Sequence, residues 1–474
     1  MNIKIKRFIQ NFSYTLIANL LSVIISTVLI LIIPKYISVE NYSYWQLYIF
    51  YSSFISYMSL GLTDGAYLRY GGYEYKNLHK PVFVSQYWFL VIFNIVVNFS
   101  IAFVYSINST DPNKSIVVLL TCLTGILVVP RSLLTFMLQS TNRIKDYSII
   151  TILERIVYFV LVLLFLLFGI NKFEYLIIAD ILGKVCSIIY TYFMTKDLVF
   201  GKFEPIKNSL REIGINISVG FKLLIANFAS LLIIGIIRFS IEKNWNVETF
   251  GKISLTLSIS NMLMLFINAI GLILFPALRR TEENKLPDIY RLMRTIIIIP
   301  LIGILVFYYP AKLLLSSWLP QYSESFIYMA FLFPMCIFES KTLMLINTYL
   351  KTLRKEKMLL IINLSTVVLS LGLAYINVFL LNNLNLSVLS ITLLLVFRAI
   401  TAEIYLSKVL EIRVKKDIFL EVFMTLVFII GTWYLELRNA LIVYFIAYIL
   451  YLAFKKEDIA FFVKSARNIF NSKS

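Results

Sequence analysis

Charged side chains inside long apolar segments are the residues of this sequence best placed to do chemistry. We select six basic and four acidic candidates: Arg131, Arg155, Lys184, Lys222, Lys341 and Arg398, with Glu154, Asp180, Glu339 and Glu403. A charge surrounded by apolar residues is costly, so it pairs with an opposite charge or faces water. These positions therefore indicate buried ion pairs or a polar cavity within an apolar body.

Spacing separates these charges into two groups. Asp180 and Lys184 are four residues apart, on one face of a helix, and we predict that they form a structural ion pair. Arg131, Lys222 and Arg398 have no opposite charge one helical turn away in their own segments. We expect these three to line an aqueous, cationic cavity; pairing with a carboxylate on another helix is the open alternative for each.

Four carboxylates are candidates for coupling transport to an ion gradient, and they are Asp64, Glu154, Glu339 and Glu403. Two prolines, Pro130 and Pro334, lie inside apolar segments, where we expect them to interrupt the helix. No histidine or cysteine has metal-ligand spacing and no nucleotide-binding motif is present, so we expect neither a metal nor another cofactor.

Composition identifies the class of protein that must position these charges. The 474-residue chain is 59% hydrophobic and 15% charged, with a mean hydropathy of +0.83, whereas soluble domains are roughly 45–50% apolar. Segments long enough to cross a bilayer predict an all-α polytopic membrane protein with about fourteen spans. The predicted spans are 14–33, 44–60, 82–104, 115–138, 148–168, 176–195, 215–238, 252–274, 295–316, 326–346, 358–378, 388–407, 418–434 and 439–454.

The loops predict the orientation of the spans. Of the 44 Lys and Arg residues, 30 lie on the side of the N-terminus and 8 on the opposite side. The positive-inside rule then places both termini in the cytoplasm. The net charge of +18 is explained by this bias and by attraction to anionic membrane lipids, so we expect no nucleic-acid partner.

The sequence also contains an internal repeat. Ten of the 28 positions from Leu16 to Ser43 are identical 208 residues later. We infer two parallel copies of one unit, an arrangement that secondary transporters use for alternating access. The predicted domains are 1–195 with six spans, 196–214 as a cytoplasmic amphipathic linker, 215–407 with six spans, and 408–474 with two spans and a basic tail.

Short motifs at the span ends carry a family resemblance. They are Leu60–Gly65 with Tyr70–Gly72, Gln139–Arg143, Val219–Phe221, Phe275–Leu278 and Asn347–Leu350. Together with the layout of six, six and two spans, they resemble the polysaccharide and O-antigen flippases of the multidrug/oligosaccharidyl-lipid/polysaccharide (MOP) exporter superfamily. The resemblance implies translocation of an undecaprenyl-pyrophosphate-linked oligosaccharide across the bacterial cytoplasmic membrane, without catalysis. The repeat unit of an O-antigen, capsule or exopolysaccharide would be the cargo, and a polysaccharide polymerase and chain-length proteins would be partners.

The same resemblance implies a central cavity between the lobes for the sugar and pyrophosphate. A pyrophosphate diester is anionic, so we assign its binding to Arg131, Lys222, Arg398, Arg238 and Lys35. Arg238 departs from the family pattern, because such proteins often have an Asp-Arg pair there and here Ile237 precedes the arginine.

Two other functions remain open. A drug or cation antiporter of the same superfamily would favour a cavity dominated by carboxylates, whereas the unpaired charges here are basic. An integral membrane polysaccharide polymerase would share the pathway, but it would carry a substantial outer loop with basic residues. The outer loops predicted here are only about ten residues long.

Overall fold

The protein packs as two compact helical units. The computed structural model describes residues 3–279 and 285–462, and no β-strand occurs within these ranges. The units comprise Met1–Phe228 and Ala229–Ser474. This agrees with the predicted all-α polytopic fold. The predicted basic tail at 463–474 lies outside the described residues.

The first unit is built mainly from long apolar helices. Its helices are α1 (Ile3–Tyr36), α2 (Val39–Ser52), α3 (Leu62–Tyr70), α4 (Lys80–Asn108), α5 (Pro112–Ser140), α6 (Ile144–Leu167), α7 (Phe173–Met194), α8 (Lys196–Val199) and the first part of α9 (Ile206–Asn244). Short 3₁₀ helices at Ile55–Ser59 and Tyr75–Asn77 join some of them. The core packs α4 and α5 against α3, with Leu62, Phe83 and Leu133 fully buried.

The second unit contains the rest of α9 and the helices that follow it. These are α10 (Val247–Arg279), α11 (Leu286–Ile304), α12 (Tyr308–Trp318), α13 (Met329–Leu332), α14 (Met335–Ser340), α15 (Asn347–Thr352), α16 (Glu356–Ala374), α17 (Leu384–Val409), α18 (Lys415–Tyr434) and α19 (Leu437–Phe454). Two π-helical segments, Lys341–Ile346 and Tyr375–Leu380, follow α14 and α16.

Most predicted spans coincide with helices that are long enough to cross a membrane. Eleven described helices pass by length and apolarity, or twelve when the bent pair Pro320–Leu332 and Met335–Thr352 is one span. The predicted span 44–60 falls on α2, which is only 14 residues long. The predicted span 252–274 falls on α10. α2 ends at Ser52, and a 3₁₀ helix at Ile55–Ser59 follows it before the chain turns at Leu60 and Gly61, both with left-handed backbone angles.

The two prolines behave differently from each other. Pro334 lies at a 45° bend between its helices, as expected for an interrupted span. Pro130 lies inside the continuous helix α5, so the predicted interruption of the fourth span was wrong. Membrane helices tolerate proline where neighbouring hydroxyls and helices satisfy the freed backbone groups.

The predicted linker is helical but is not a separate helix. After the four-residue α8, the chain enters α9 at Ile206 and continues without a break to Asn244. Ile206 and Leu210 are exposed, whereas Ile213 is buried. The amphipathic segment is therefore the first part of the helix that also forms the seventh predicted span.

Close backbone packing fixes α9 within the first unit. A Cβ atom on Gly65 would lie 1.8 Å from the carbonyl oxygen of Asn216, and one on Gly220 would lie 2.0 Å from that of Gly61. Small residues four apart let membrane helices approach in this way. Asn216 also accepts a hydrogen bond from Arg69 at 2.6 Å, so polar contacts reinforce the packing.

We expect Gly65→Ala and Gly220→Ala to lower the thermal midpoint of the detergent-solubilised protein, because each added methyl group meets fixed backbone atoms. Overpacking of this kind costs roughly 1–3 kcal/mol or more. Gly214→Ala is the matched control in α9, since nothing lies within 4 Å of its added Cβ atom. Equal midpoints for all three variants would contradict the close packing.

Candidate functional site: buried ion pairs in two units

The first unit holds an arginine–carboxylate pair between three helices. Arg131 of α5 contacts Glu154 of α6, with Nη1 and Oε2 2.5 Å apart. The same Nη1 donates to the hydroxyl of Ser187 on α7. The two charged side chains are only 12% and 17% exposed, and Arg131 Nε is buried without a partner among the described residues.

The second unit holds a similar arginine–carboxylate pair, but at the position of the repeat where the first unit has the arginine, the second has the carboxylate. Arg398 of α17 donates Nη2 to Glu339 Oε2 of α14 at 2.7 Å and Nη1 to Ser230 Oγ of α9 at 3.0 Å. Its Nε is likewise buried and unpartnered within the described residues. Shifted by 208 positions, Arg131 aligns with Glu339. The fourth span thus carries the cation in one unit, and the tenth span carries the anion in the other.

Pairing across helices, the alternative left open by the sequence, is therefore what the structure shows for both arginines. Each guanidinium is compensated by a carboxylate and a hydroxyl, as burial of charge requires. A substrate anion at either arginine would have to displace or share that carboxylate.

Lys222 differs from the two arginines. It lies on α9, within a helix that is apolar enough to span a membrane, and it is exposed. No ion pair or hydrogen bond joins its side chain to another described residue. An ammonium group in such a helix is stable only where water or a ligand reaches it.

A second network in the first unit contains the pair predicted from i, i+4 spacing. Lys184 contacts Asp180 on α7, and Tyr48 of α2 donates to Asp180 Oδ2 at 2.5 Å. The Tyr48 hydroxyl also lies 3.1 Å from Thr124 Oγ1 on α5. This network joins α2, α5 and α7 through hydrogen bonds and the ion pair.

Three further predicted residues lie on helices α1, α3 and α9. Asp64 is in the first turn of α3 and is half-buried. Lys35 is exposed in the last turn of α1. Arg238 donates Nη2 to Ser254 Oγ at 3.0 Å, and its guanidinium lies 5.2 Å from the ring centre of Phe250.

Glu403 belongs to a larger buried cluster in the second unit, which we call the charge quartet: Arg294, Lys341, Glu403 and Glu421. Arg294 Nε lies 2.8 Å from Glu403 Oε1, and Lys341 Nζ lies 2.5 Å from Glu421 Oε2. Each cation also contacts the other carboxylate. None of the four side chains is more than 6% exposed, so two positive and two negative charges cancel out of contact with water.

The quartet joins elements that are distant in sequence. Arg294 comes from α11, Glu403 from α17 and Glu421 from α18, while Lys341 opens the π-helical segment after α14. Tyr290 donates to Glu403 at 3.0 Å and Asp417 accepts from Arg294 at 2.8 Å. The quartet therefore fastens α18 to the body of the second unit.

Sequence reasoning missed two members of this quartet. Arg294 comes one residue before the predicted span 295–316, so it is not among the charges that the sequence places inside the spans. Glu421 lies inside the predicted span 418–434, and that position was the signal that could have identified it. Glu403, a candidate coupling group, is held between two cations.

Comparison with known proteins gives the fold a name. No family model and no curated protein matches the sequence. Among solved structures, the inward closed conformation of the lipid II flippase MurJ superposes with a TM-score of 0.65 at 11% identity, over 95% of this chain and all of that one. The chain has the fold of the MOP transporters.

Two further MOP structures support the same conclusion. An inward-facing multidrug resistance MATE family transporter of the MOP superfamily gives a TM-score of 0.62 at 13% identity, covering 81% of this chain and 96% of that chain. A MOP superfamily transporter from Pyrococcus furiosus, described as having a binding pocket of reverse polarity, gives 0.51 at 11% identity over 85% and 95%. At these identities the likeness establishes the fold.

We expect Arg131→Gln and Glu154→Gln each to destabilise the solubilised protein by about 3–5 kcal/mol, because each leaves one buried charge uncompensated. The double variant should lose less than the sum of the two, which a double-mutant cycle on thermal midpoints measures. Additive losses would show that the two side chains do not interact in the folded protein.

We expect Glu421→Gln to lower the thermal midpoint strongly, because Lys341 and Arg294 each lose a buried carboxylate partner. Glu457→Gln is the control, since Glu457 is exposed and has no ion pair among the described residues. An unchanged midpoint for Glu421→Gln would mean that water reaches the quartet.

Proposed function

We propose that this protein is a flippase that moves an undecaprenyl-pyrophosphate-linked oligosaccharide across the bacterial cytoplasmic membrane by alternating access. The observation that carries the proposal is the extent of the match to the lipid II flippase, which covers 95% of this chain against 81% for the multidrug transporter. The uncovered 5% is shorter than α18 and α19 together. At least part of these two helices therefore has a counterpart in a protein that handles a lipid-linked substrate.

The charges on the described helices suit an anionic headgroup. Lys222 offers an uncompensated ammonium group within an apolar helix. Arg131 and Arg398 each retain a buried, unpartnered Nε–H beside an Nη group that already donates to a carboxylate. Pyrophosphate oxygens could accept hydrogen bonds from the Nε–H and an Nη–H of such an arginine, in the bidentate geometry that guanidinium groups favour. In this proposal Glu154 and Glu339 hold the arginines in place when no substrate is bound.

The proposal includes the location and partners of the protein. The positive-inside pattern favours cytoplasmic termini, and the basic loops would contact anionic lipid headgroups. A polysaccharide polymerase and chain-length proteins would act on the product after translocation. The proposed chemistry changes no covalent bond, so no catalytic residue is assigned.

A drug or cation antiporter is the second candidate, favoured by the similarity to the multidrug MATE transporter. In that function Glu154 and Glu339 would exchange their arginine partners for a cation or a proton. Glu403 is less suited to this role, because two cations of the charge quartet already contact it.

Deletion of the gene tests the two candidates against each other. We expect lipid-linked repeat units to accumulate on the inner leaflet and surface glycan to fall, while resistance to cationic drugs is unchanged. Complementation with Lys222→Gln should restore export poorly, because the ammonium group that meets the anionic headgroup is lost. Lys207→Gln is the matched control, since Lys207 is also an exposed lysine of α9.

Normal surface glycan in the deletion strain would reject the flippase. Drug sensitivity together with normal glycan would favour the antiporter. Full export by Lys222→Gln, with glycan loss in the deletion strain, would remove Lys222 from the headgroup site while leaving the flippase assignment in place.

A further inference from the structure

Two motifs that the sequence singled out separately meet in the first unit. The loop after α3 and the loop after α5 are joined by a hydrogen bond from the Gly72 N–H to the Ser140 carbonyl oxygen at 3.1 Å. Gly72 and Asn142 both have left-handed backbone angles, with φ of 92° and 64°. These turns open a cavity of about 650 Å³ between the loops. We call it the inner-loop cavity, and its lining is Gly72, Tyr73, Glu74, Tyr75, Lys76, Thr141, Asn142 and Arg143.

One wall of the inner-loop cavity is held rigidly by Arg143. Its Nε donates to Asp146 at 2.7 Å and its Nη1 donates to the Met194 carbonyl oxygen at 2.9 Å. Its guanidinium lies 4.6 Å from the ring centre of Tyr75, a cation–π contact. The side chain of Arg143 is therefore held in place by these contacts, and Asp146 compensates its charge.

The same wall is fastened from the other side by Asp197. This carboxylate accepts from the Tyr75 hydroxyl at 2.7 Å and pairs with Lys80 at 2.7 Å. Burial by itself raises the pKa of Asp197, but the hydrogen bonds from Lys80 and Tyr75 outweigh it and hold the pKa below its usual value. The carboxylate stays ionised at neutral pH, so the frame is intact there.

Other side chains that line the inner-loop cavity are exposed and make few contacts with the described residues. Tyr73 is 54% exposed, and among the described residues its ring packs against that of Tyr70, roughly perpendicular to it, with centroids 5.6 Å apart. Glu74 and Lys76 are exposed, and neither side chain has a partner among the described residues. The cavity thus combines the exposed ring of Tyr73 with the carboxylate of Glu74 and the ammonium group of Lys76, beside a wall that Arg143 and Asp197 hold in place.

This combination fits a sugar better than an anion or an apolar molecule. A pyranose ring presents C–H groups on a face, which pack on an aromatic ring, and hydroxyl groups at its edge, which exchange hydrogen bonds with carboxylate and ammonium groups. The free charges of Glu74 and Lys76 cancel, so no net field favours an anion. The volume lies within the range of about 300–1,000 Å³ typical of small-ligand sites.

We propose that the inner-loop cavity binds the saccharide part of the lipid-linked substrate before translocation. The proposal rests on the proposed function and on the positive-inside orientation, which puts both loops on the cytoplasmic side, where such substrates are assembled. Tyr73 stacks against a sugar ring, and Glu74 and Lys76 bind its hydroxyl groups. The site would select the sugar separately from the residues that meet the pyrophosphate.

The ligand for the test comes from the gene deletion. Lipid-linked material that accumulates in the deletion strain is extracted and cleaved with mild acid, which releases the free oligosaccharide. Its binding to the purified full-length protein in nanodiscs is measured by calorimetry and by saturation-transfer NMR. We expect saturable binding, weakened about tenfold by Tyr73→Ala, because a stacking surface is lost.

Three variants serve as comparisons. Tyr73→Phe keeps the ring and should retain most of the affinity, whereas Glu74→Gln should weaken binding by removing a strong acceptor. Tyr434→Ala removes an exposed tyrosine outside the cavity and should bind as the unchanged protein does. Thermal midpoints of all variants establish that each is folded.

The outcomes separate this inference from the proposed function. No accumulating lipid-linked material would reject the flippase and this site together. Accumulation with no binding of the oligosaccharide, or with equal binding by Tyr73→Ala, would reject the saccharide site alone. Reduced export by Tyr73→Ala with unchanged oligosaccharide affinity would also reject it, and would indicate instead that the loops contact another protein.

Discussion

The cost of placing charge in an apolar environment governs the described interior of this protein. The side chains of Arg131, Arg398 and all four residues of the charge quartet are at most 12% exposed, and each contacts an opposite charge from another helical segment. Removing one partner would leave a charge that neither lipid nor an apolar core can solvate. The pairs therefore dictate which helices must remain adjacent, and the apolar packing fills the space that they define.

The repeat supplies a common scaffold on which the two units place different charges. The fourth span carries Arg131 in the first unit, and the corresponding position in the second unit is Glu339. Both are compensated, and both pairs include a serine hydroxyl, from Ser187 or Ser230. Corresponding positions of the repeat thus each belong to an arginine–carboxylate pair, with the order of the charges reversed. A transporter built this way can have similar moving parts with unlike linings.

Three polar features would divide the handling of an amphiphilic substrate. In the proposed function, Lys222 would bind the pyrophosphate, and the inner-loop cavity would bind a sugar. The charge quartet keeps α18 attached to the second unit. Recognition of headgroup and sugar by separate residues would let one scaffold accept different glycans through changes in two loops.

The sequence by itself determined the helical membrane class, most of the spans, the presence of an internal repeat and the i, i+4 pair of Asp180 and Lys184. These follow from local periodicity and spacing, which need no knowledge of neighbouring helices. Only the tertiary structure decided which carboxylate meets Arg131 or Arg398, that Arg294 and Glu421 join the charge quartet, and that the segments at Gly72 and Asn142 enclose one cavity. Partners 23 to 127 residues apart are brought together by helix packing, and no local pattern encodes that. Even Pro130 needed its surroundings, because neighbouring helices decide whether a proline interrupts a helix.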